Sequence, residues 1–205
     1  MSDKAIVYVI DDDEAVRESL TFLLETADFT VEAFDSATSF LEQLPNLGPG
    51  CVVTDVRMPE MSGLELVKRL REIGVTLPVI VITGHGDVPL AVEAMKAGVI
   101  DFIEKPFDNE TILSALRSAL AEDGGAGDGR DAERMALAQR IVALSTRERQ
   151  VLGGLVAGHA NKVIANQLGI SPRTVEVYRA NVMTKMQASS LSELVRMALL
   201  VGVDR

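Results

Sequence analysis

The chain has 205 residues, 47% of them apolar, and a formal net charge of −10. That is enough apolar material for two packed cores, and a single cysteine excludes an intramolecular disulfide or a Cys-rich metal framework. Residues 1–120 carry 9 Lys and Arg against 21 Asp and Glu, a net of −12, whereas residues 141–205 carry 8 against 4, a net of +4, so only the second part suits a polyanion.

Taken in order, Ala5 to Ile10 reads as a buried strand that ends on Asp11, Asp12 and Asp13. Val16, Leu20, Leu23, Leu24 and Ala27 follow as one stripe of an amphipathic helix. The alternation continues with strands at 30–34, 51–54, 78–82 and 100–103 and helices at 36–43, 63–72, 87–97 and 107–120. Five strands alternating with five helices specify an α/β fold with a doubly wound parallel sheet. Residues 122–130, EDGGAGDGR, hold four glycines and no large apolar side chain, and read as linker. Residues 131–144 regain helix-forming composition and lead into the second domain.

No strand pattern survives after that. Ser145 with Glu148 and Ser190 with Glu193 have capping-box spacing, and Ser171 precedes a proline at the first helical position. Gly158 and Gly169 read as helix stops. Four helices are predicted, at 146–157, 161–168, 172–187 and 191–200. The boundaries expected are 1–121 for the first domain, 122–140 for the linker and 141–205 for the second domain.

The uncharged run Cys51 to Thr54 delivers Asp55 to the carboxyl edge of the sheet, where α/β folds bind ligands. Asp11 and Asp12 end a neighbouring strand, so three carboxylates are expected together. Such a cluster calls for a hard divalent cation, and Mg²⁺ suits a shell that is part protein and part water. With a metal, a lysine and a hydroxyl supplied, phosphoryl transfer to Asp55 becomes feasible; Thr83 and Lys105, each just past a strand, are placed for this. Each feature alone has a plainer reading: the acid run as a solvated helix start, Lys105–Pro106 as a turn, Thr83 as a strand-end cap. Their joint placement favours the chemistry. His85, in Gly84–His85–Gly86, reads as a loop residue and His159 as a helix-end residue. Neither is set for Ser-His-Asp hydrolysis.

In the basic part, the helices at 161–168 and 172–187 with the turn at 168–171 have the dimensions of a helix-turn-helix. Val175, Tyr178, Val182 and Met186 form the buried stripe. Arg173, Glu176, Val177, Ala180, Asn181 and Thr184 are left facing outward to enter a major groove, with Arg179 and Lys185 reaching phosphates. Ser171 and Thr174 begin the helix, whose backbone amides suit a phosphate. The bland reading is a solvated helix face.

The segments IDD at 10–12, TDVRMPEMSG at 54–63, VITG at 81–84 and FIEKP at 102–106 resemble the receiver domains of two-component response regulators, which are flavodoxin-like. LSTRERQVL at 144–152 and VIANQLGISPRTVEVYRANVMTKM at 163–186 resemble the LuxR/FixJ-type helix-turn-helix. The resemblance implies that Asp55 accepts a phosphoryl group from a FixL-like sensor histidine kinase. It implies Mg²⁺ on Asp11, Asp12, Asp55 and the Arg57 carbonyl, phosphoryl contacts from Thr83 and Lys105, and a cis Lys105–Pro106 bond. Thr83 and Phe102 would form the output switch, read as ring burial because Phe102 has no hydroxyl. Dimerisation on phosphorylation is implied, with Val88, Val92 and Met95 facing the core and Ala91, Lys96 and Glu104 facing the partner. Glu176, Val177 and Ala180 stand where bases are read, and Glu176 is suited to accept from cytosine N4. A cytoplasmic activator is expected, working with promoter DNA and RNA polymerase on nitrogen-fixation or microaerobic genes and catalysing only its own phosphorylation and dephosphorylation. Consistent with this, no run of about 18 uncharged apolar residues and no basic-then-apolar start appears in the sequence. A Mg²⁺-dependent phosphatase with an aspartyl-phosphate intermediate shares the pocket, but no insertion provides a lid; a receiver whose helical part binds only protein is the other alternative.

Overall fold

The computed structural model describes residues 5–84, 88–121 and 129–203. The Gly84–His85–Gly86 motif falls partly outside them, as does most of the 122–130 linker. Two compact units emerge, Met1–Gly86 with Ala97–Gly124, and Asp87–Lys96 with Gly125–Arg205.

In the first unit, β1 (Ile6–Ile10), β2 (Thr30–Phe34), β3 (Gly50–Asp55), β4 (Val79–Thr83) and β5 (Asp101–Glu104) form one parallel sheet in the order β2-β1-β3-β4-β5. Strand order reverses at β1, which pairs with β2 on one side and β3 on the other. That is the topological switch point, and sheets of this kind bind ligands there, outside the carboxyl ends of the strands. Its helices are α1 (Glu14–Thr26), α2 (Ala37–Gln43), α3 (Gly63–Glu72) and α5 (Asn109–Ala121), while α4 (Val88–Lys96) groups with the second unit.

Side chains alternate along a strand, so each strand serves two cores. Val7, Val9, Cys51, Val53, Ile80, Ile82 and Ile103 join Leu20 and Leu24 of α1 and Ile112 and Leu116 of α5 in one cluster. The opposite phase includes Tyr8, whose ring lies 5.8 Å from that of Phe40, which in turn lies 5.3 Å edge-on to Phe34. The uncharged apolar runs that mark β1, β3 and β4 in the sequence are thus those of strands covered on both faces. In α4, Ala91, Val92 and Met95 are buried, though outside the core cluster of the sheet, and the Val88 side chain lies outside the described residues; Lys96 and Glu104 are exposed.

The second unit contains α6 (Gly129–Val142), α7 (Thr146–Val156), α8 (Asn161–Leu168), α9 (Pro172–Met186) and α10 (Leu191–Leu200). The four predicted helices are all present, and α6 joins them by packing on α9 and α10. Ser145 and Glu148 form the reciprocal capping box, and Ser171 caps α9 through the Thr174 amide at 3.1 Å. Gly169 ends α8 in the left-handed region, φ 65°, which costs glycine no steric strain. At α10 the expected box is only half made. Ser190 accepts from the Glu193 amide, but the Glu193 carboxylate turns to the amide and hydroxyl of Ser189, at 2.7 and 2.6 Å.

Candidate functional site

Register assembles the pocket. Ile10 stands opposite Thr54, so the next residues, Asp11 and Asp55, leave the sheet side by side. Thr83 stands opposite Glu104, and its carbonyl accepts from the Lys105 amide at 2.7 Å, which brings Lys105 to the same edge. Asp11, Asp55 and Lys105 continue the phase of Val9, Val53 and Ile103. Asp12 and Thr83 fall in the opposite phase.

The Lys105 Nζ donates to Asp55 Oδ1 at 2.9 Å and to Asp11 Oδ2 at 3.2 Å. The other oxygens are held by the backbone: Asp11 Oδ1 accepts from the Asp13 amide at 2.9 Å, and Asp55 Oδ2 from the Arg57 amide at 2.6 Å. Arg17 Nη1 donates to the Asp11 carbonyl at 2.7 Å and ties the start of α1 to this edge. Side-chain exposures of 5% for Asp11, 11% for Asp55 and 28% for Lys105 place the triad largely out of water. Burial holds the Asp11 carboxyl above the usual carboxylate range, although the Asp13 amide and Lys105 act against this. Lys105 loses by burial, but the hydrogen bonds and charges of Asp55 and Asp11 raise its pKa overall.

The expected meeting of three carboxylates is made by two. Asp12 is exposed, and among the described residues no three His, Cys, Asp or Glu side chains are grouped to hold a metal. Strand alternation accounts for this, because Asp11 continues the inward phase and Asp12 does not. The chemistry of the pocket nevertheless fits a hard divalent cation: Asp11 and Asp55 present two anionic, oxygen-only groups against one ammonium, which leaves surplus negative charge. Thr83 is 1% exposed and Phe102 8%, and the Lys105–Pro106 peptide is cis.

The loop after Asp55 is closed by Gly63, whose amide donates to the Val56 carbonyl at 3.0 Å. A Cβ on Gly63 would fall on the carbonyl oxygen of Asp55. Nothing local in the sequence marks this close approach of Gly63 to Asp55, whereas the Ser62–Glu65 capping box that starts α3 is legible in the spacing Ser-x-x-Glu.

In the second unit, Val175, Val182 and Met186 of α9 are buried and Tyr178 is half-buried. Arg173, Glu176, Val177, Ala180, Asn181 and Thr184 are exposed and Arg179 is partly so. Val177 is 56% exposed, an apolar residue on an otherwise polar face. Lys185 differs from expectation, since its ammonium donates to Glu148 Oε2 at 2.7 Å. Lys185 and the Ser145 amide together hold the Glu148 carboxyl down to about 2. A depressed carboxyl contributes stability that is complete above its unfolded value, here 4.5, and lost as pH falls towards 2. In thermal unfolding of the full chain, the gap between wild type and Glu148→Gln should be widest above pH 4.5 and narrow towards pH 2; a gap independent of pH would remove this role.

A buried acid–lysine pocket at a parallel-sheet edge, followed by a helix-turn-helix unit, defines a regulator with a phospho-acceptor module and a DNA-reading module. Residues 7–117 match the response regulator receiver domain family, and residues 142–198 match the luxR family of bacterial regulatory proteins. The chain belongs to the two-component response regulators with a LuxR-type output domain. It is 61% identical to transcriptional regulatory protein FixJ of Azorhizobium caulinodans, over 99% of this chain and 96% of that one. It is 54% identical to FixJ of Bradyrhizobium diazoefficiens, over 99% and 98%. A crystal structure of full-length FixJ from B. japonicum, 55% identical, covers 97% of this chain and 98% of its own with a TM-score of 0.57.

Proposed function

We propose that Asp55 is the phosphoryl acceptor, that a FixL-like sensor histidine kinase is the donor, and that the modified chain dimerises and activates transcription. The observation that carries this is Lys105 bound to both Asp55 and Asp11. It holds the acceptor carboxylate in place with a cation beside it, where a phosphoryl group gains charge stabilisation. A carboxylate oxygen of Asp55 attacks phosphorus as the P–N bond of the phosphohistidine breaks, and the departing imidazole keeps the electron pair. Asp11 and Asp55 would hold Mg²⁺, with the exposed Asp12 turning in to join them and the Arg57 carbonyl, and the ion would neutralise the meeting of two anions. Lys105 and the Thr83 hydroxyl then bind phosphoryl oxygens, and Phe102 reports the change at Thr83. Beyond its own phosphorylation and dephosphorylation, the chain needs no catalysis.

On this reading α9 enters the major groove, with Glu176, Val177, Ala180 and Asn181 towards the bases. Arg173 and Arg179 meet phosphates, as do Ser171 and Thr174 at the start of the helix, while Lys185 acts through Glu148. Dimerisation joins two half-sites and raises avidity without new base contacts. The setting is the cytoplasm, with promoter DNA and RNA polymerase as partners. Among the described residues no helix is long and apolar enough to cross a membrane. The FixJ likeness supports nitrogen-fixation or microaerobic genes as targets.

Incubation with kinase and ATP should add one phosphoryl mass to the wild type and none to Asp55→Asn. The same substitution should abolish the gain in DNA affinity on phosphorylation. Equal labelling of both proteins would overturn the assignment.

A further inference from the structure

We infer that Arg140 is a positioning residue for DNA reading, through which helix α6 holds the C-terminal turn of α9. The inference rests on the reading of α9 as the groove-facing helix. Arg140 Nη1 donates to the Met186 carbonyl at 2.9 Å, across 46 residues of sequence. Met186 is the last residue of α9, and a helix leaves its last carbonyls without intrahelical partners. The Met183 and Thr184 carbonyls are taken by the Ala188 and Gln187 amides, at 3.0 and 3.2 Å, in a left-handed turn with Gln187 at φ 59°. Arg140 serves the carbonyl at the end of the run, and its positive charge lies at the negative end of the helix dipole.

One turn earlier in α6, Leu137 is 2% exposed and anchors the helix that carries Arg140. On α9, the Lys185–Glu148 pair ties the same last turn to α7. That turn is thus gripped from two helices, while the outward residues from Arg173 to Thr184 stay clear. A recognition helix reads bases only when its angle in the groove is right, so a grip on its far end bears on sequence reading rather than on charge. Because α6 immediately precedes α7, a displacement of α6 reaches α9 through Arg140 without passing through the α7–α8 turn.

The test uses the phosphorylated full chain and two duplexes: one enriched by the wild type from a random pool, and one of the same composition in shuffled order. Arg140→Ala should lose about tenfold in affinity for the enriched duplex, the scale of one charge-assisted hydrogen bond. It should bind the shuffled duplex almost as the wild type does, with an unchanged salt slope. Arg140→Lys, which keeps a charged donor, should recover most of the loss. Equal loss on both duplexes, with the slope shallower by about 0.9, would make Arg140 a phosphate contact instead. A lower melting temperature with unchanged affinity of the folded fraction would leave it a structural residue only. Arg173→Ala and Glu176→Ala separate the two levels. If they weaken the enriched duplex and Arg140→Ala does not, this inference alone fails. If they change neither duplex, the reading of α9 fails and the inference with it.

Discussion

Lys105→Ala is expected to lower phosphoryl uptake at Asp55 by about 100-fold, because it removes a preorganised donor from the site of developing charge. Without divalent cation it should also destabilise the chain. Breaking a fully buried ion pair costs about 3–5 kcal/mol, and a lysine side chain 28% exposed warrants the lower figure of about 2–3 kcal/mol. The loss arises because Asp11 and Asp55 then face each other without a cation. It follows that Mg²⁺ should stabilise Lys105→Ala more than it stabilises wild type, since only the variant lacks an internal counter-ion. Urea titrations with and without Mg²⁺ measure this directly. Equal stabilisation of both proteins would mean that Lys105 does not hold the two carboxylates together in solution.

The second large effect is expected at Gly63→Ala. Its methyl would land on the Asp55 carbonyl oxygen and close to Thr54, so either α3 or the end of β3 must shift. Overpacking of this kind costs about 1–3 kcal/mol. The functional loss should exceed what stability explains, since a displacement of about 1 Å at a reacting group can cost about 100-fold in rate. Gly153→Ala in α7 is the control: its methyl meets open space, and helix propensity favours alanine by up to about 1 kcal/mol. Phosphoryl uptake measured at equal folded fraction separates the two contributions. Normal uptake by Gly63→Ala would show that the loop absorbs the methyl without moving Asp55.

Local signals carried most of the fold. Apolar runs ending in Asp11, Asp55 and Thr83 placed three strand ends, and Ser145, Ser171, Gly158 and Gly169 placed helix ends to within a residue or so. These features depend on neighbours in sequence, and propensity and capping act at that range. The candidate site was legible one residue at a time, as acids, a hydroxyl and a lysine following successive strands. The sequence was less informative about partners. Lys185 looked like a surface cation but faces Glu148, 37 residues away. Glu193 looked like the second half of a box with Ser190, yet bonds Ser189. Ala91 lay where a helical wheel leaves open which side is covered. Arg140 ends the expected 122–140 linker, in a stretch of helix-forming composition, and nothing local points to the Met186 carbonyl.

What the sequence by itself determined is the set of strands and helices, the two-unit division of charge, and which reactive groups stand at strand ends. Only the tertiary structure decided which of those groups meet: Lys105 contacts Asp55 and Asp11 across 50 and 94 residues, while Asp12, one step on, is left in water. The physical reason is that side-chain alternation and parallel register act between strands brought together by right-handed crossovers, and a shift of one residue reverses the face. Pairings of that kind belong to the assembled sheet, and no window of sequence contains both partners.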